Sequence, residues 1–128
     1  MTQIKPTYVT FEQAKKLKEK EFNVPTQWAF DLKGQDYKDE HWDIDYNCCT
    51  YNCYSKPEQW QVVEWLRVVH GIWAYCEING DRYYCKAKKL KSNWRRVVSG
   101  VVDNENTLYN TPQEAYSEAF DYVLNNLI

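Results

Sequence analysis

One histidine and three cysteines in the first half of the chain are the side chains best suited to bind a metal ion. His41 is followed by Cys48, Cys49 and Cys53 in the pattern H-x6-C-C-x3-C. Four such side chains can hold zinc tetrahedrally. The pattern lacks the paired C-x2-C knuckles of a strong zinc motif. Two interpretations stay open: a zinc-containing protein, or thiols that bind no metal and a chain with no cofactor.

Acid–base or nucleophilic chemistry has weaker support. Asp43 and Asp45 stand two residues apart, a spacing that puts both carboxylates on one side of a strand, where they can bind a metal or move protons. No nucleophile motif surrounds the cysteines. Glycines occur only at positions 34, 71, 80 and 100, so nucleotide-binding fingerprints are absent. We therefore predict no catalytic residues and a protein that acts by binding.

A binding surface is suggested by the alternating sequence on both sides of Asn79-Gly80, a strong β-hairpin signal. Successive side chains of a strand point to opposite faces. One face is small and apolar: Ile72, Ala74, Cys76, Ile78, Tyr83, Cys85 and Ala87. The other face carries Trp73, Tyr75, Tyr84, Lys86 and Lys88, together with Glu77 and Arg82. We call the first five of these residues the aromatic–basic face. Such a face can stack bases or a planar ligand, or it can be covered by the N-terminal part of the chain.

The charge of the chain is small overall but unevenly distributed. The net charge is -2, which argues against broad electrostatic binding to nucleic acid or membrane. The segment 82–96 nevertheless holds seven basic residues and no acid: Arg82, Lys86, Lys88, Lys89, Lys91, Arg95 and Arg96. We expect either a solvated face or a docking site for an acidic or phosphate-bearing partner, with Arg95 and Arg96 contributing beside the aromatic–basic face.

The N-terminus lacks the apolar region of a signal peptide, and no run is long enough to span a bilayer. The sequence therefore predicts a cytoplasmic protein with reduced cysteines. A monomer or a homodimer associating through an unpaired sheet edge is expected.

Helix starts and alternating segments predict an α+β fold. Three segments have the S/T-x-x-E/Q pattern of a capping box and begin at Thr10, Ser55 and Thr111. Residues 28–32 and 42–46 alternate and are expected to pair antiparallel. From residue 55 the predicted order is helix, three strands, helix, with both helices on one face of a three-stranded antiparallel sheet. We assign 1–54 to an N-terminal helix-and-strand lobe and 55–128 to this core.

The predicted α-β-β-β-α order, with the ending T-P-Q-E-A-Y-S-E-A-F-D-Y-V-L-N-N-L, resembles the double-stranded RNA-binding domain. That family binds RNA through its first helix, its first strand-to-strand loop and lysines that open the last helix. Here the last helix opens with Thr111, Pro112, Gln113 and Glu114, and the loop is only 79–81. The resemblance therefore implies the fold without the RNA-binding lysines.

A second resemblance rests on T-F-E-Q-A-K-K-L-K-E-K-E-F-N, S-K-P-E-Q-W-Q-V-V-E-W-L-R and T-P-Q-E-A-Y-S-E-A. These motifs are similar to those of small uncharacterised proteins of gut Bacteroidales phages and prophages. The resemblance implies an accessory protein of a mobile element, expected in the host cell cytoplasm if phage-encoded. We therefore expect binding to another protein, with host machinery as one candidate; a nucleic-acid or nucleotide binder and a zinc-containing protein are the alternatives.

Overall fold

A computed structural model describes residues 5–38, 44–48, 52–90, 97–103 and 108–128, and the chain is an α+β protein as predicted. Within these residues there are three helices and six strands. The helices are α1 (Phe11–Glu19), α2 (Gln59–His70) and α3 (Pro112–Asn126). The strands are β1 (Trp28–Phe30), β2 (Asp36–Tyr37), β3 (Tyr54–Lys56), β4 (Ile72–Asn79), β5 (Arg82–Leu90) and β6 (Val97–Asp103).

The chain forms two compact units, Met1–Gln59 and Trp60–Ile128. The sequence assigned residues 1–54 to the N-terminal lobe. The first unit extends further because β3 pairs with β1 in an antiparallel sheet of order β2-β1-β3. Ala29, Tyr46 and Cys53 form a buried cluster in this unit.

Helix α1 begins and ends with well-formed caps. Thr10 and Gln13 form the predicted reciprocal capping box. At the other end the Glu21 N–H donates to the Lys18 carbonyl and the Phe22 N–H to the Leu17 carbonyl, which is the Schellman pattern. Glu21 occupies its left-handed position, with φ of 64°. The buried Phe22 ring then packs beneath the helix end, so the helix stops before the proline at position 25.

Two local predictions in the first unit were wrong. Ser55 does not cap a helix, because it pairs with Ala29 in the sheet and α2 begins only at Gln59. The segment 42–46 does not supply the partner of β1, whose neighbours are β2 and β3. Ile44 instead pairs with Thr26 through two backbone hydrogen bonds of 2.9 and 3.1 Å, and residues 42 and 43 lie outside the described residues.

The second unit contains the predicted α-β-β-β-α order, with an antiparallel sheet of order β4-β5-β6. The β4–β5 hairpin turns at Gly80 and Asp81, and Gly80 has a φ of 66°, which favours glycine. Two steps along β5, from Ala87 to Lys89, correspond to four along β6, from Val102 to Val98. The register shift on β6 spans position 100, a glycine, as is common where a strand is irregular.

Helix α3 covers the apolar face of this sheet and contacts all three strands. Thr111 caps it, accepting a hydrogen bond from the Glu114 N–H, with Pro112 in its first turn. Ala115 and Ala119 pack directly on Cys85, because their small side chains let the helix lie close to the sheet. The prediction of a small apolar face is confirmed at its centre, where Ala74, Cys85 and Ala87 are buried.

Candidate functional site

The hairpin register brings the five residues of the aromatic–basic face onto one side of the sheet. Trp73 lies directly opposite Lys88, and Tyr75 lies opposite Lys86. The third pair on this face joins Glu77 and Tyr84. Side chains directly opposite one another in an antiparallel pair are close enough to interact. The face is thus a two-column array in which every aromatic ring stands beside a charged side chain.

Exposure differs sharply within this array. The Trp73 side chain is 43% exposed, although it is a large apolar group. Tyr84 is only 8% exposed, while Tyr75, Lys86 and Lys88 are half-buried. A buried ring has no open surface on which a base could stack. Trp73 is therefore the only exposed aromatic side chain among the three pairs of this face.

Glu77, in the pair of the array nearest the turn, places a negative charge beside one of the lysines of this face. Its carboxylate accepts a short hydrogen bond from the Tyr84 hydroxyl and lies 3.9 Å from the Lys86 ammonium. Lys86 also stands 5.6 Å from the centre of the Tyr84 ring. Lys88 makes the same kind of contact with Tyr75, again at 5.6 Å. These contacts commit both lysines to neighbours within the hairpin.

The outer edge of β4 is largely covered, although β4 is the terminal strand of its described sheet. Ile72 and Ala74 are 0% and 1% exposed as whole residues, so their backbone groups are buried with their side chains. Cys76 and Tyr116 of α3 both pack against the buried cluster of Cys85, Ala115 and Ala119. Burial raises the pKa of Tyr116, and the backbone of Cys76 partly opposes the rise. Ile78, beside the turn, is 69% exposed.

Two apolar side chains at the end of α2, within five positions of Trp73 in the sequence, are also exposed. Helical spacing places Val69 on the same face of α2 as Val62 and Leu66; those two are buried, but Val69 is 60% exposed. Val68 beside it is 68% exposed. Helical periodicity could not reveal this exposure, because it gives the direction of a side chain but not which residues pack over it. We call Val68, Val69 and Trp73 the Trp73 corner.

His70 ends α2, and Gly71 follows with a φ of 66°. The His70 ring packs edge-on against Trp65, with 4.6 Å between ring centres. This ring contact gives His70 a structural role at the end of α2.

The predicted zinc cluster is described only in part, because His41 and Cys49 lie outside the described residues. Cys53 is buried, and its thiol donates to the Tyr46 carbonyl at 3.7 Å. Burial raises the pKa of this thiol, and the positive charge of Lys18 partly opposes the rise. Cys48 is half-buried. Among the described residues no group of three metal-ligating side chains lies together.

An open cleft of about 260 Å³ lies beside Cys53 and is lined by Asp31, Tyr37 and Asn52 as well. The Asp31 carboxylate accepts hydrogen bonds from the backbone N–H groups of Lys33 and Gln35. Asp31 therefore stabilises the loop in which it lies.

Arg95 and Arg96, predicted to extend the aromatic–basic face, lie outside the described residues. In the part of the chain that is described, no helix is sufficiently long and apolar to cross a membrane. Comparison with protein-family models, with curated proteins and with solved structures gave no significant match. Function must therefore be argued from the geometry of the hairpin itself.

Proposed function

We propose that the chain is a small accessory protein that acts by binding another protein through the Trp73 corner. One observation carries this proposal: Trp73 is 43% exposed, while the other aromatic and basic side chains of its face contact one another. Tryptophan is enriched among the residues that contribute most to protein–protein affinity. A partly exposed tryptophan beside neighbours already held in place is well suited to enter a partner's pocket.

The extent of the Trp73 corner supports a compact docking surface. Val68 and Trp73 are five positions apart in the sequence, so the chain between them spans at most about 18 Å even when extended. A standard interface buries roughly 800 Å² on each partner, so one interface can cover the whole corner. Lys88, opposite Trp73, gives the corner a positive border. The partner surface that fits best is apolar at its centre with a carboxylate at its rim.

The electrostatics of the face favour a protein over a nucleic acid. A nucleic-acid site needs lysines that approach phosphates and rings that are open to bases. Here Glu77 lies 3.9 Å from the Lys86 ammonium, and Tyr84 is 8% exposed. Nucleic-acid or nucleotide binding is thus the second hypothesis, carried by the half-buried Tyr75 and Lys88. The buried backbone of Ile72 and Ala74 argues against a homodimer formed edge to edge through this part of β4.

A phage or other mobile-element origin, with a host protein as partner, belongs to the same proposal. It is supported by the three sequence motifs at positions 10–23, 55–67 and 111–119. Two of these segments contain the capped starts of α1 and α3. A zinc-containing protein remains the third hypothesis, resting on His41, Cys48, Cys49 and Cys53.

Affinity purification with matched variants tests the proposal. Tagged wild-type chain, Trp73→Ala and Ile78→Ala are recovered from cells that naturally encode the protein, and co-purifying proteins are quantified. Ile78 is the control because it is exposed on the same strand but on the other face. We expect a specific partner with wild type and Ile78→Ala, reduced at least tenfold with Trp73→Ala. Equal recovery with all three, or nucleic acid in place of protein, would contradict the proposal.

A further inference from the structure

Two cysteines face each other across the β4–β5 hairpin, on the side covered by α3. Cys76 and Cys85 are direct partners in the strand register. The pair belongs to neither the aromatic–basic face nor the predicted zinc cluster. Cys85 is fully buried against Ala115 and Ala119, while Cys76 is partly exposed. Cys76 packs against the buried cluster formed by Cys85, Ala115 and Ala119.

The orientation of the neighbouring backbone shows which kind of antiparallel pair this is. The N–H and C=O of Tyr83 both bond to Tyr109, at 2.9 and 2.8 Å, and so point away from β4. Backbone direction alternates along a strand, so Cys85, two residues further on, also points its backbone away from β4. Cys76 and Cys85 therefore form a non-hydrogen-bonded pair. In such pairs the Cα atoms are about 4.5 Å apart and the side chains approach closely.

That spacing is compatible with a covalent bond between the two sulfur atoms. Disulfides in proteins have Cα separations of roughly 4.4–6.8 Å, so a non-hydrogen-bonded pair lies at the short end of this range. Cys76 already packs against the cluster that contains Cys85, and Ala115 and Ala119 leave the helix surface above Cys85 small. Closing the bond thus requires side-chain rotation within a fixed hairpin.

We propose that Cys76 and Cys85 are a redox modification site, at which a hydroperoxide produces a reversible disulfide that joins β4 to β5. The Cys76 thiol reacts first, giving a sulfenic acid and water from hydrogen peroxide. The Cys85 thiol then attacks the sulfenic sulfur, the S–S bond forms, and a second water leaves. The two thiols together lose two electrons and two protons, and a small dithiol reverses the change.

Access and acidity set the order and the rate of these steps. Cys76 is the entry point because it is the less buried of the two, with its thiol directed at the Glu77 carbonyl at 3.9 Å. Burial raises the pKa of both thiols. Since the thiolate is the reacting form, oxidation at neutral pH is slow. The site thus responds to sustained exposure to oxidant.

Peptide mapping of the full chain tests the proposal directly. Trypsin cuts after Arg67, Arg82 and Lys86, so the two cysteines fall in separate peptides, 68–82 and 83–86. Folded protein is treated with hydrogen peroxide, alkylated in denaturant, digested and analysed by mass spectrometry. We expect a linked 68–82/83–86 pair that separates on reduction. Protein oxidised in denaturant should show this link mixed with links to other cysteines.

The result that overturns the proposal is recovery of both peptides in alkylated form after oxidation of the folded protein. A Cys76 peptide that carries only sulfinic acid, or is linked only to Cys48, Cys49 or Cys53, overturns it equally. Cys85→Ser provides the assignment control, since it must remove the linked pair. The wild-type measurement decides the question by itself if that variant fails to fold.

Discussion

Glu77 lies directly opposite Tyr84 in the β4–β5 hairpin, and its carboxylate accepts a hydrogen bond from the Tyr84 hydroxyl. This contact fixes a negative charge at the turn end of a face that the sequence marks as aromatic and basic. The same carboxylate lies 3.9 Å from the Lys86 ammonium. The Glu77–Tyr84 pair therefore makes this face less suited to nucleic acid and leaves Trp73 as its exposed aromatic side chain.

Removing the charge of Glu77 should make the face more attractive to polyanions. We expect Glu77→Gln to elute from heparin at higher salt than wild type, because Lys86 loses its carboxylate neighbour. Glu19→Gln makes the same charge change on α1 and should shift elution less. Adding Lys86→Ala to Glu77→Gln should cancel the gain. Equal shifts for Glu77→Gln and Glu19→Gln would show that Glu77 has no special effect on this face.

Gly34 and Gly80 both have positive φ but differ in their surroundings. A Cβ added at Gly34 would lie 3.0 Å from the Phe11 ring, whereas one at Gly80 would have nothing within 4 Å. We expect Gly80→Ala to lower the free energy of unfolding by about 1 kcal/mol through backbone strain alone. Gly34→Ala should cost about 2 kcal/mol, since the ring must also move. Urea unfolding measures both, and a smaller cost at Gly34 would contradict this packing.

Glu21 occupies the left-handed position at the end of α1, with φ of 64°. Glycine adopts this conformation without the steric cost that a Cβ introduces. We therefore expect Glu21→Gly to raise the free energy of unfolding by about 0.5–1 kcal/mol. Glu19→Gly, within the last turn of the helix, should instead lower it by about 1 kcal/mol. Destabilisation by both substitutions would argue against the Schellman geometry.

The thiols of Cys76 and Cys85 and the Tyr116 hydroxyl should make the protein sensitive to alkali. Burial raises the pKa of each group above its ordinary value of 9.0 for cysteine or 10.0 for tyrosine. The folded state therefore keeps protons that the unfolded state has already lost. Their stabilising effect is complete below pH 9.0 and declines as the pH rises toward the folded-state pKa values.

This expectation is checked by urea unfolding in the presence of a reductant, at a series of pH values from neutral to alkaline. Stability should fall above pH 9.0, and Cys85→Ala should show a shallower fall because one of the titrating groups is gone. Parallel curves for wild type and Cys85→Ala would exclude Cys85 as a contributor.

The β4–β5 hairpin was predictable because its signals are local. Alternation and the glycine at position 80 are sufficient to place Cys76 and Cys85 on one face and Trp73 and Lys86 on the other. The starts of α1 and α3 were likewise predictable, since a threonine cap acts within one turn.

The remaining features depend on contacts distant in sequence. Ser55 has the pattern of a helix cap, but its backbone pairs with Ala29, 26 residues earlier, so it lies in a strand and does not start a helix. The exposure of Val69 depends on where packing ends. The role of Glu77 depends on its partner across the strands, because spacing alone gives no contact with Tyr84.

Site-specific photo-crosslinking most directly tests whether the Trp73 corner binds a protein. A benzophenone-bearing phenylalanine analogue is placed at position 73 or, as the control, at position 78, in cells that naturally encode the chain. Irradiation at position 73 should give a discrete adduct with one protein, and position 78 should give little or none of it. Absence of a protein adduct at position 73, an adduct with nucleic acid, or equal adducts from both positions would contradict the account.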